Sequence, residues 1–140
     1  HYFFKRIQIA IPWISNPKGG DYTLDANRNG VNDSWEKLCL AACRNPMAAF
    51  ESASWGKFQI MGAHAKTLGY ANALEFAYGM VSDERAHYQA LADFVRVNGL
   101  IPAMRALSTN PETCRLFASR YNGGGYAKND YHRKLAKAMS

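Results

Sequence analysis

Residues 51 to 62 read Glu-Ser-Ala-Ser-Trp-Gly-Lys-Phe-Gln-Ile-Met-Gly, and residues 118 to 126 read Ala-Ser-Arg-Tyr-Asn-Gly-Gly-Gly-Tyr. Each stretch sets a small polar residue, an amide and glycines against aromatics, a mixture suited to a cleft that grips sugar. Gln59 carries two donors and an acceptor, which match acetamido groups and hydroxyls. Gly56 allows close backbone approach, and Trp55 and Phe58 offer apolar faces to a sugar ring. Read as plain packing, residues 54 to 62 are a core turn whose Gln satisfies backbone groups. Residues 121 to 125 are then a helix C-cap running into a flexible loop. Cleaving a glycosidic bond needs one thing more: a carboxylic acid, kept protonated by an apolar pocket, that protonates the leaving oxygen. Glu51 is the candidate inside this chain, with a helix-end carboxylate as its plain alternative. Glu75, Glu84 and Glu112 sit in amphipathic contexts and read as solvated surface.

A second constellation concerns a cation. Asp25, Asn27, Asn29, Asp33 and Glu36 occupy positions 1, 3, 5, 9 and 12 of a calcium-loop pattern. Gly30 stands at position 6, and the Val31 carbonyl would serve at position 7. Such spacing wraps hard oxygens around Ca²⁺ while glycine turns the chain. No helix is expected before Asp25, so the site would be a loop-then-helix type resembling those of dockerins, with a structural role. The alternative is an Asx-rich turn feeding a helix cap at Asp33. His1, His64, His87 and His132 show no metal-ligand spacing, and no Gly-x-Ser-x-Gly elbow supports a serine nucleophile.

Taken together and in order, the two motifs resemble the Ser-x-Gly-x-x-Gln and Tyr-Asn-x-Gly signatures of the lysozyme-like superfamily, and most closely the N-acetylmuramidase domain of phage endolysins. Ser54, Gly56, Gln59 and Met61 fall on the first signature; Ala118, Tyr121 and Asn122 fall on the second, with Gly123 to Gly125 as its glycine-rich tail. The resemblance covers most of residues 35 to 139, and residues 1 to 6 are similar to an aromatic-basic stretch of that family. It implies cleavage of the peptidoglycan glycan strand at N-acetylmuramic acid, by hydrolysis or by lytic transglycosylation, with no cofactor in the chemistry. Ser54 would orient the acid, Gln59 and Asn122 would bind acetamido or hydroxyl groups, and Tyr121 would shape the cleft. In the family the acid is a Glu ahead of the aromatic-basic stretch, so its counterpart is expected before His1, in a domain shortened at its N-terminus. Rival readings are a glycan-binding module without turnover and a calcium-dependent interaction module.

The elements that position these residues read as mainly α, in one lysozyme-like domain over residues 1 to 140, with an irregular stretch at residues 1 to 32 that includes a short strand near residues 6 to 11. Helices are expected from Asp33 to before Pro46, capped by Asp33 with Glu36, and from Ser82 to Asn98 with Gly99 as C-cap. Others should follow Asn110-Pro111 and span residues 130 to 139, with shorter pieces at 61 to 68 and 72 to 78. A chain of 140 residues can bury a core without staples. No apolar run approaches the ~20 residues of a membrane span, and the first residues do not form a signal peptide. The net charge of +6 favours polyanions such as the bacterial wall. Lys and Arg are scattered singly, which argues against nucleic acid. The expected setting is a phage-encoded or bacterial monomer acting at the cell wall. Cys39, Cys43 and Cys114 are odd in number and read as buried thiols.

Overall fold

Asparagines and prolines divide the chain into short helices, and a computed structural model describes them over residues 1–18 and 23–140. Contacts group these residues into two compact units, His1–Leu91 and Ala92–Ser140. Both are helical, and the fold is mainly α.

In the first unit, α1 (Tyr2–Ile7) ends where Gln8 turns left-handed. Residues 6 to 11 were expected to start a strand, but α1 claims Arg6 and Ile7, because Phe3 on this helix is buried against Ala41, Ala48 and Ala49. A single bridge between Ile11 and Ser15 is the extended pairing that remains there. Helix α2 spans Asp33–Arg44 and is capped by Asn32, whose side chain accepts from the Ser34 N–H. Asp33 is therefore not the cap; it is fully buried and accepts from the Ala26 N–H, tying the preceding loop to the helix.

Asn45 ends α2 and caps α3 (Pro46–Ser52), accepting from the Ala48 N–H at 3.0 Å, while Pro46 takes a position whose N–H would be unused anyway. The alanines of α3 leave room for Phe3. A two-stranded antiparallel ribbon follows, β1 (Ser54–Trp55) with β2 (Ile60–Met61), in register Ser54 to Met61 and Trp55 to Ile60. Two 3₁₀ turns, Gly62–His64 and Lys66–Leu68, lead to α4 (Ala73–Ser82), capped by Asn72. The expected helix from Ser82 onward begins instead at Glu84 as α5 (Glu84–Val97). Asp83 breaks the run because its carboxylate accepts from the Arg85 N–H, giving the backbone an alternative to continuing the helix.

The second unit holds the last turns of α5, then α6 (Ile101–Arg105), α7 (Pro111–Asn122) and α8 (Tyr131–Ala138), with α7 packed on α6 and on α8. Its core includes Phe94, Val95, Leu100, Cys114, Phe117 and Ala118. Cys114 is buried as expected. Cys39 and Cys43 are exposed on α2, because the buried side of that helix is taken by Ala41, with Leu38 and Ala42 packed beside it. No helix among the described residues is long and apolar enough to cross a membrane.

Phe76, in the middle of α4, is fully buried and meets Tyr70 edge-on at 5.0 Å between ring centres. Phe76→Ala should therefore cost about 3–5 kcal/mol, read as a lowered midpoint in urea unfolding. A loss below about 1 kcal/mol would contradict the packing described.

Candidate active site

The first motif forms the ribbon β1–β2 and the four residues between its strands, Gly56 to Gln59. Two of these carry left-handed backbone, Gly56 at φ 70° and Gln59 at φ 53°. Both glycines of the motif are set by packing. A Cβ on Gly56 would stand 2.9 Å from Met80 Sδ and 3.1 Å from His87 Nδ1. A Cβ on Gly62 would stand 2.2 Å from the Phe50 carbonyl oxygen. The close approach that glycine permits here is to α3, α4 and α5, not to a sugar. The aromatics are likewise engaged. Trp55 stacks on Phe50 at 5.0 Å and donates its indole N–H to the Phe50 carbonyl at 2.9 Å, and Phe58 meets Tyr88 edge-on.

What remains available is polar. Gln59 is exposed; its side-chain amide donates to the Gly56 carbonyl at 3.0 Å, and its own oxygen has no hydrogen-bond partner among the described residues. The exposed Ser54 hydroxyl has none there either. Both side chains line a cavity of about 450 Å³ in the first unit, together with Tyr2, Ser34, Lys37 and Ser52. A second cavity of the same unit, about 580 Å³, is walled by Trp35, Phe50, Trp55, Leu74, Tyr78 and Val81. Its polar members offer little to a hydroxylated ligand, because Asn72 and Glu75 are spent capping α4. Of the two, the cavity at Ser54 and Gln59 is the one lined by polar side chains without hydrogen-bond partners among the described residues.

The turn is also anchored electrostatically. Lys57 pairs with Glu84 at the start of α5, and its ammonium lies over the Tyr88 ring at 5.3 Å. The hydrogen bond from Lys57 holds Glu84 below the usual carboxylate range; Glu84 and Tyr88 in turn raise Lys57. Glu51, near the end of α3, pairs with Arg6 of α1 at 3.0 Å. It is not among the residues lining the polar cavity.

In the second unit, Tyr121 and Asn122 close α7. The Tyr121 ring stacks on Phe117 at 5.5 Å and meets Phe94 edge-on at 5.2 Å. That burial pushes its phenol up to about 12, so it stays a neutral hydroxyl. Asn122 is exposed and donates to the Ala118 carbonyl. Gly123, at φ 74°, ends the helix into open space.

In the loop before α2, the Asp25 carboxylate accepts from the N–H groups of Asn29 and Gly30, and Glu36 meets the side chains of both Asn27 and Asn29. Gly30 has the positive φ that its place in the pattern requires. Asn27 and Asn29 also accept backbone N–H groups of the loop, from Asn29 and Val31, and Asp33 is turned to Ala26, so hydrogen bonds within the chain hold the loop together. Among the described residues no group of three His, Cys, Asp or Glu side chains is arranged to hold a metal.

The sequence profile of the N-acetylmuramidases matches residues 4–140. This chain belongs to the N-acetylmuramidase family. The crystal structure of an endolysin from Burkholderia phage AP3 is similar to it, with 34% sequence identity and a TM-score of 0.69 over 91% of this chain. The match takes in 46% of that endolysin, so this muramidase chain spans about half the length of its solved relative. No curated protein matches it. The lysozyme-like, mainly α fold expected from the motifs is the one observed. Reading the muramidase sequence did not bring out Lys37 or His87, because Lys37 joins the cavity lining and His87 meets the turn only through tertiary packing.

If the motif glycines serve packing, Gly56→Ala should cost about 1–3 kcal/mol from its left-handed backbone. Gly62→Ala should cost more, since backbone blocks the new methyl. Chemical denaturation of the two variants measures both. Wild-type stability with reduced glycan binding would instead assign the glycines to the ligand.

Proposed function

We propose that this protein cleaves the glycan strands of peptidoglycan at N-acetylmuramic acid, and that the cavity lined by Ser54 and Gln59 grips the strand. The observation that carries this reading is the pair of polar groups without hydrogen-bond partners among the described residues, at a cavity of about 450 Å³ in a member of the muramidase family. Gln59 binds acetamido or hydroxyl groups through its free oxygen, and Ser54 orients the acid. In the second unit, Asn122 carries an amide for acetamido or hydroxyl groups, and the packed ring of Tyr121 shapes the surface beside it. One carboxylic acid protonates the leaving oxygen, and water completes hydrolysis to a reducing end. The basic chain, at +6, suits a polyanionic wall, and the similarity to a phage endolysin supports action at the cell wall.

Glu51 is the candidate acid within the chain, and its pairing with Arg6 argues for a structural part. A general acid works from a protonated carboxyl in an apolar pocket, whereas Glu51 faces a guanidinium. Release of soluble glycan fragments from purified peptidoglycan separates the roles. Gln59→Ala should weaken strand binding about 2- to 10-fold. Glu51→Gln should leave turnover within a few-fold of wild type; a loss of about a thousandfold or more would make Glu51 the acid. Binding of walls by the wild type without any release would identify a glycan-binding module.

We further propose that Ca²⁺ serves as a structural ion, held by Asp25, Asn27, Asn29, Glu36 and the Val31 carbonyl, while Asp33, turned to the Ala26 N–H, holds the loop beside it. It would fasten the loop to α2 and supplies no chemistry to the reaction. Calcium at a hundredfold excess over its dissociation constant stabilises a folded chain by about 2.7 kcal/mol. A clear rise in melting temperature over the EDTA sample is therefore expected, abolished in Asp25→Ala. An unchanged melting temperature would remove the ion from the account.

A further inference from the structure

His87 stands on α5, thirty residues after the turn that it touches. Its ring makes two hydrogen bonds, and their partners fix its chemical state. The backbone N–H of Lys57 points at Nδ1, 2.8 Å away, and an N–H only donates, so Nδ1 carries no proton. Nε2 lies 2.6 Å from the Met80 carbonyl, which only accepts, so Nε2 carries the proton. Both bonds are satisfied by one species alone, the neutral imidazole protonated at Nε2.

The Lys57 amide belongs to the same peptide unit as the Gly56 carbonyl. That carbonyl accepts from the Gln59 side chain at 3.0 Å and from the Gln59 N–H at 3.2 Å. A single rigid plane therefore joins His87 to Gln59. Turning the plane to free the Lys57 N–H moves the oxygen that holds the Gln59 side chain.

We infer that His87 is a positioning residue, whose neutral ring locks the Gly56–Lys57 peptide and thereby sets the pose of Gln59 at the cavity, and that protonating the ring releases this lock. The imidazolium presents N–H to N–H at Nδ1 and loses its bond to the turn. Protonation of the ring thus loosens the Gln59 turn, and loss of that proton restores it.

The charged groups around the ring do not oppose this. Glu84, three residues earlier on α5, is attracted to a charged His87 ring but pairs first with Lys57 of the turn. Asp83, beside Glu84, pairs with Arg85. Tyr88 lies under the Lys57 ammonium. The Met80 carbonyl from α4 takes the proton of Nε2 in either state of the ring. The two carboxylates each have a cation of their own, which leaves the contest at Nδ1 between a proton and the Lys57 amide.

The consequence for glycan rests on the reading of the Ser54 and Gln59 cavity given above; the lock itself does not. Isotope-edited NMR of the ¹⁵N-labelled protein, followed from high to low pH, reads the two separately. The ring nitrogens should report an Nε2-protonated tautomer at the upper end. As the ring protonates, the Lys57 backbone amide and the Gln59 side-chain amide should shift together with it. Binding of chitotetraose, used as a soluble probe, should weaken about fivefold over the same titration.

His87→Phe should give the loosened Gln59 signals at every pH. His87→Asn, which places an amide oxygen near the position of Nδ1, should hold the wild-type signals and flatten the pH profile. If the phenylalanine variant does not fold, the asparagine variant and the wild-type titration still decide. Gln59 side-chain signals indifferent to His87 protonation would overturn the proposal, and so would an Nδ1-protonated ring at high pH. Coupled signals in a protein that binds no chitotetraose at any pH would leave the lock standing and refute the cavity as a glycan site.

Discussion

The peptide joining Gly56 to Lys57 is held from both sides, its N–H by His87 and its oxygen by Gln59. Much of what is distinctive in the first unit exists to allow that arrangement. Gly56 lacks a side chain because Met80 and His87 occupy the space where one would stand. Lys57 and Glu84 pin the turn to the start of α5, and the break between α4 and α5 at Asp83 lets both helices contribute to it. A short ribbon with only two residues in each strand has little stability of its own. Its shape comes from the helices that clamp it. Gln59 is thereby kept in left-handed backbone, a strained conformation for a residue other than glycine.

The same logic explains why the motif contains both glycines and aromatics. In the sequence they look like groups that meet a ligand. In the structure, Gly62 makes room for the Phe50 carbonyl, and Trp55 spends its indole N–H on that same carbonyl. The hydrophobic residues build a rigid floor, and the polar ones, Ser54 and Gln59, are left facing the cavity. The proposed sugar site would be well served by this division, because hydroxyls and acetamido groups need few, well-fixed partners.

Local signals made a good part of this legible in the sequence. Asn45-Pro46 and Asn110-Pro111 mark helix boundaries because an asparagine cap and a proline at the first turn act within a few residues. Cys114 fell correctly in the core through the helical spacing of α7. Features that depend on distant partners were not legible. Residues 6 and 7 look extended until Phe3 is seen buried against α2 and α3, which makes the segment a helix. Asp33 has the sequence of a cap, yet its burial against Ala26 hands that role to Asn32. The exposure of Cys39 and Cys43 follows from which side of α2 the other helices cover. The same limit applies to His87: a histidine on an amphipathic helix says nothing by itself about a turn thirty residues earlier.

The account stands on Ser54 and Gln59 as the place where the muramidase meets its glycan. The most direct measurement is a chemical-shift map of the labelled protein, at neutral pH, titrated with a soluble N-acetylglucosamine–N-acetylmuramic acid tetrasaccharide. The largest saturable shifts should fall on the Gln59 side-chain amide, on Ser54 and on neighbouring residues of the polar cavity. Shifts centred instead on the apolar cavity of Trp35 and Tyr78, with Ser54 and Gln59 unmoved at saturation, would contradict it.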